Sequence, residues 1–176
     1  MKLKGNKGFT LIEVIVVAAI IAILAGILVP MIFSQIDESK KTRALGDAKS
    51  IQTSVLAFRK DTGQWPVMQN GACATLSSLL QTNGNIPNAF PAGWLVATQD
   101  NIFNYTGATN TCYSNWKGPY MTSFDADPWG NAYLINSGDF GTANPVWVIS
   151  SGPNGLLETA TADIALGNDD IGVRIQ

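Results

Sequence analysis

Glu13 is the only charge in the apolar run GFTLIEVIVVAAIIAILAGILVPMIF at residues 8–33. A carboxylate inside a lipid-spanning segment costs about 3 kcal/mol on insertion scales, so it is normally there for a function. Cleavage in front of the apolar run, after Gly8, fits the pattern. It would remove MKLKGNKG and leave Phe9 with a free ammonium close to Glu13. A second set of chemistry-bearing residues lies near the C-terminus, the adjacent pair Asp169 and Asp170. Neighbouring carboxylates repel unless they are solvated or neutralised. Calcium, a hard cation, takes carboxylate, amide and backbone oxygens in a flexible loop. The alternative is a solvated acidic loop. Cys73 and Cys112 are the only cysteines, and there is no histidine to complete a metal site or a thiol dyad with them. One disulfide in an oxidising compartment is the simplest reading, with two buried thiols as the alternative.

These residues must be positioned by a small number of elements. A helix rises 1.5 Å per residue, so roughly 25 apolar residues span about 37 Å, enough to cross a ~30 Å hydrocarbon core with some tilt. A secretory signal does not fit, because its apolar core is shorter and ends at a small-residue cleavage site. Pro30 lacks a donor and is expected to kink or loosen the helix, and Gly26 lowers helix propensity nearby. Beyond Phe33 the pattern changes to one face, with Ala44, Ala48, Ile51, Val55 and Phe58 at helical spacing. Gly63 and Pro66 end it. The spacing of Leu76, Leu79 and Leu80 predicts a short helix over 75–81, and residues 83–113 read as a long irregular region. Ala132–Ile135, Val146–Ile149 and Ile171–Ile175 are β-prone. Trp129, Tyr133 and Trp147 are expected as core aromatics, and Asp127 as the first residue of a tight turn through Pro128 and Gly130.

Composition narrows the function class. From Asp61 onward nine acidic residues face only Lys117 and Arg174, which argues against phosphate backbones and nucleic acid as partners. No nucleophile elbow, P-loop or dinucleotide fingerprint occurs, and Asp125, Asp127 and Asp139 have no acid–base spacing, so no enzyme is expected. Lys2, Lys4 and Lys7 before the run are nearly balanced by Lys40, Lys41 and Arg43 after it, so charge leaves orientation open.

Lys7-Gly8-Phe9-Thr10-Leu11-Ile12-Glu13 and the apolar run resemble the N-terminal signature of type IV pilins and pseudopilins. The ordered blocks KGPYM (117–121), DPWGNAYLI (127–135), SSGPNG (150–155) and DDI (169–171) resemble the G-type major pseudopilin of type II secretion. Residues 67–115 carry no resemblance. The resemblance implies an α+β pilin-like fold, one long N-terminal helix packed against a small antiparallel sheet. It divides the chain into a cleaved leader (1–8), a transmembrane and filament-core half-helix (9–33), an amphipathic half-helix (34–62) and a periplasmic head (63–176). Gly8 and Phe9 become the processing site of a prepilin peptidase that also methylates the new amine, and Glu13 the assembly glutamate. The implied partners are further copies joined through the N-terminal helix, the inner-membrane assembly platform and minor pseudopilins. The implied location is the inner membrane, single-pass, with the head in the periplasm. A calcium ion held by Asn154, Asp169, Asp170 and the Ser151 carbonyl is also implied. The family's aspartate in GPDG is Asn154 here, and the longer intervening stretch LLETATADIALGN adds Glu158 and Asp163 as candidate substitutes. A surface type IV pilin for adhesion, motility or DNA uptake is the alternative function.

Overall fold

The computed structural model describes residues 8–68, 73, 78–107, 111–123 and 125–176. Two compact units divide it, residues 1–39 and 40–176. The N-terminal leader as far as Lys7 and the stretch 75–77 of the expected short helix lie outside the described residues.

Helix α1 runs Leu11–Thr62, with Pro30 inside it rather than at its end. In the first unit every described side chain is exposed, so its apolar surface is buried only against something outside the monomer. In the second unit the expected face is the one that packs. Ala44, Ala48, Ile51, Val55 and Phe58 are all buried, joined by Ser54 and Thr62. Burying Ile51, Val55 and Phe58 stabilises by about 1.5–3 kcal/mol each. Phe58 also meets Tyr113 edge-on, with ring centroids 4.7 Å apart. The helix ends at Gly63, which takes φ +75° and donates its N–H to the Arg59 carbonyl.

The sheet has five short strands in the order β2-β1-β3-β4-β5: β1 Leu79–Gln81, β2 Gln99–Asn101, β3 Leu134–Ile135, β4 Trp147–Ser150 and β5 Ile171–Arg174. The three expected β-prone runs are thus strands, the first and third shortened and the second shifted by one residue to Trp147–Ser150. Two expectations are corrected. Leu79 and Leu80 lie in a strand, not a helix, and the sheet is mixed, because β1 and β2 pair in parallel. The described residues of 83–113 are mostly irregular but contain β2 and the short helix α2, Phe103–Thr106.

Both faces of this sheet are covered. Leu80, Ile135 and Val148 point into a core shared with Ile51, Val55 and Phe58 of α1. Leu79, Leu134, Trp147 and Ile149 point the other way, into a second core closed by Trp94 and Leu157 with Phe90 and Leu166 beside them. The irregular segment 86–97 and the long loop after Ser151 are therefore the second covering layer. Two indole N–H groups fasten it: Trp94 Nε1 donates to the Thr159 carbonyl (2.8 Å), and Trp147 Nε1 to the Asp163 carbonyl (3.2 Å). Trp129 is only half-buried, unlike Tyr133 and Trp147, so it is not a core residue. Tyr133 instead ties sheet to helix, its hydroxyl donating to Asp47 at 3.2 Å. Burial and the Asp47 charge push that hydroxyl's pKa up, which keeps it a donor.

Cys73 and Cys112 form a disulfide, 39 residues apart in sequence. Next to it, Tyr113 accepts the Val67 and Met68 N–H groups and donates to the Trp65 carbonyl. Closing a loop of this length stabilises by about 4 kcal/mol in the chain-entropy model. The double variant Cys73→Ser/Cys112→Ser should therefore lose about that much in a urea melt. The wild type should lose the same amount when it is reduced.

Candidate functional site

Two sets of residues carry the expected chemistry. The first surrounds Glu13. Thr10 stands immediately before α1, and Glu13 is the third helical residue. The Glu13 carboxylate accepts from the Thr10 N–H and hydroxyl, both at 2.8 Å, while the Glu13 N–H reaches back to Thr10 Oγ1 at 3.4 Å. This is a reciprocal capping box, T-x-x-E, which satisfies otherwise orphaned helix donors. The sequence carried that signal, and reading Glu13 only as an intramembrane charge missed it. A shallow apolar groove lined by Phe9, Val14, Val17, Ala18 and Ile21 flanks the carboxylate. Phe9 is 88% exposed.

The second set is the loop between β4 and β5. It leaves the sheet through Gly152, whose φ is +62° and where a Cβ would lie 2.3 Å from the Asp169 carbonyl oxygen. Only glycine fits so close an approach. The DPWG turn braces it from below. Asp127 Oδ1 accepts the Trp129 and Asn131 N–H groups, Oδ2 accepts the Ser150 hydroxyl, and Asn131 Nδ2 donates to the Gly152 carbonyl. The expected turn role of Asp127 is what the structure shows, extended to a buried bracket under the loop.

Of the expected calcium ligands, Asn154 and Asp169 meet, while Asp170 makes other contacts. Asn154 Nδ2 lies 2.6 Å from Asp169 Oδ1, and its backbone N–H lies 3.2 Å from Oδ2. Asp170 turns inward. Its Oδ2 accepts the Glu158 N–H (2.9 Å), the Thr159 N–H (2.7 Å) and the Thr159 hydroxyl (2.7 Å). Thr159 Oγ1 in turn accepts the Gly167 N–H. Glu158 receives amide nitrogens from Asn168 (2.7 Å) and, at 3.5 Å, from Asn154. Asp163 accepts the Ala160 N–H and closes a local turn. Asp170 Oδ1 and Ser151 Oγ are buried without a hydrogen-bond partner. Among the described residues no three acidic, histidine or cysteine side chains converge as a metal requires. As folded, the carboxylates of Glu158, Asp169 and Asp170 are engaged by protein donors, all but Asp170 Oδ1, rather than turned toward a common cation.

Asp170 is thus a structural anchor. Burial raises its pKa, opposed by its hydrogen bonds from Thr159 and Glu158. A carboxyl whose folded pKa lies above its unfolded value gives the folded chain the extra proton at intermediate pH. Stability therefore falls as pH rises from the unfolded value through the folded one. Asp170→Asn keeps an oxygen for the three donors and removes the buried charge. We expect it to stay within about 1 kcal/mol of wild type and to flatten that part of the pH profile. Asp170→Ala strands the donors and should cost about 2–3 kcal/mol, read from urea melts across acidic pH.

Comparison with known proteins gives a consistent pattern. A family model described as the prokaryotic N-terminal methylation motif matches residues 3–29, and one described as type II secretion system (T2SS) protein G matches residues 97–169. The chain is 31% identical over 171 residues to the type II secretion system core protein G of Pseudomonas aeruginosa, covering 97% of this chain and 99% of that one. It is 29% identical over 155 residues to the core protein G of Escherichia coli K12, covering 88% and 86%. The Klebsiella pneumoniae core protein G is 25% identical over 171 residues, covering 97% and 95%. No solved structure matches the chain significantly.

Proposed function

We propose, from the premise that this chain belongs to the type II secretion system protein G family, that it is the major pseudopilin of a secretion system, a structural subunit rather than an enzyme. The relative that spans nearly the full length of both chains carries this reading. The structure supplies a physical account of it. A half-helix that is exposed on every side has no use in a soluble monomer. In a membrane it meets lipid, and in a filament it meets copies of itself. The subunit would wait in the inner membrane with its second unit in the periplasm, where an oxidising milieu suits the Cys73–Cys112 bond.

In this scheme a prepilin peptidase cuts between Gly8 and Phe9 and methylates the Phe9 amine. An assembly platform then draws subunits into a helical filament whose tip carries minor pseudopilins. Glu13 of an incoming subunit pairs with the Phe9 ammonium of its neighbour, and the partners offset one another's desolvation only in the assembled register. Filament growth would push folded proteins through the outer membrane. Filament habit tests the reading. At native expression, labelled subunit should stay within the envelope, and fibres should reach the surface only on overproduction. Long surface fibres at native levels, needed for adhesion, motility or DNA uptake, would assign the chain to a surface pilus instead.

A further inference from the structure

The loop between β4 and β5 brings three carboxylates, Glu158, Asp169 and Asp170, into a short stretch of chain, and protein donors meet every one of their oxygens except Asp170 Oδ1. The Asn154 side chain is central to this. Its Oδ1 accepts the Leu156 N–H at 2.6 Å, which settles the amide's orientation, because a backbone N–H must face oxygen. Nδ2 is therefore the atom that faces Asp169 Oδ1 at 2.6 Å, with Glu158 Oε2 at 3.5 Å on its other side. The Asn154 backbone N–H takes the second Asp169 oxygen. One residue thus clamps one carboxylate twice and leans on another. Asn168 Nδ2 caps the remaining Glu158 oxygen.

We propose that Asn154 is a neutral cross-link that closes loop 151–171 without a cation, and that Asn154→Asp alone converts the loop into a calcium-dependent one. The substitution leaves Oδ1 on the Leu156 N–H. It replaces an N–H donor with a carboxylate oxygen at hydrogen-bond distance from Asp169 Oδ1. Two ionised carboxylates in that contact repel and require a bound cation or a proton between them. Calcium tolerates a flexible, irregular oxygen set, whereas magnesium demands near-octahedral geometry, so calcium is the ion the variant should select. The loop covers the second core of the sheet through Leu157 and Leu166, so its closure is read directly in thermal stability.

The test is a set of melting curves on the full chain in detergent, in calcium alone, magnesium alone and chelator. Mass spectrometry should first confirm that Asn154 is still an amide, since an Asn–Gly bond is prone to losing ammonia. Wild type should melt within about 1 °C in all three conditions. Asn154→Asp should melt about 4 °C or more lower in chelator and recover in calcium more than in magnesium. A wild-type melting point raised several degrees by calcium over both other conditions would overturn the proposal. So would an Asn154→Asp protein whose melting point ignores calcium. Should that variant fail to fold, Asp169→Asn serves instead. It removes the clamped charge and should lower the melting point equally in calcium and in chelator. A loss confined to calcium would mean that Asp169 holds the ion in the wild type, and the proposal would fail.

Discussion

Replacing Glu13 by alanine should leave the subunit in the membrane and reduce filament growth and export at least tenfold. The charge it removes costs about 3 kcal/mol in lipid, so insertion should be unimpaired or improved. The capping box complicates this variant, because Glu13→Ala also removes the acceptor for the Thr10 N–H and hydroxyl, worth about 1 kcal/mol of helix stability. Glu13→Gln separates the two roles. Glutamine serves in a capping box but carries no charge to pair with an ammonium. If pairing with the neighbour's Phe9 amine sets axial register, both variants should show the same large loss of assembly. Crosslinking yield between neighbouring subunits, beside membrane fractionation, checks this. Wild-type assembly by Glu13→Gln would reduce Glu13 to a helix cap.

A bulky residue at Gly8 should block maturation altogether. Gly8→Leu is expected to leave precursor starting at Met1 in the membrane, with no methylated Phe9 and no filament. The block precedes assembly, so it should be complete where Glu13 variants are only defective. N-terminal sequencing and intact mass of the membrane protein read the result. A Gly8→Leu chain that still begins at Phe9 would show that the cut does not depend on a small residue before the scissile bond.

Long-range architecture was more legible than local detail. The apolar run and the face Ala44-Ala48-Ile51-Val55-Phe58 predict α1 to its last residue, because helical periodicity over that length has no competing explanation. Leu79 and Leu80 were misread for a physical reason. The sheet is covered on both faces, so consecutive residues are both buried and no alternation marks the strand. Strand β2, Gln99-Asp100-Asn101, has no strand-forming side chain at all and exists because β1 offers it an edge. The two covering loops could not be foreseen for the same reason: Trp94 and Leu157 sit in irregular chain, and only the tertiary fold shows what they cover.

The C-terminal site was legible as a cluster but not as an arrangement. Adjacent Asp169 and Asp170 look equivalent in sequence. One is clamped by Asn154, while the other is buried against the backbone at Glu158 and Thr159. Successive residues entering β5 point to opposite sides, so neighbours in sequence need not share a ligand. The disulfide was legible from counting alone, since two cysteines without histidine leave few other uses.

Deletion of this subunit in its host cell, followed by comparison of periplasmic and secreted proteins, tests the central claim most directly. The account predicts that a defined set of folded proteins disappears from the medium and accumulates in the periplasm. Wild-type chain should restore export, and Glu13→Gln should not. Normal export in the deletion strain, with loss of surface fibres or of motility instead, would contradict it.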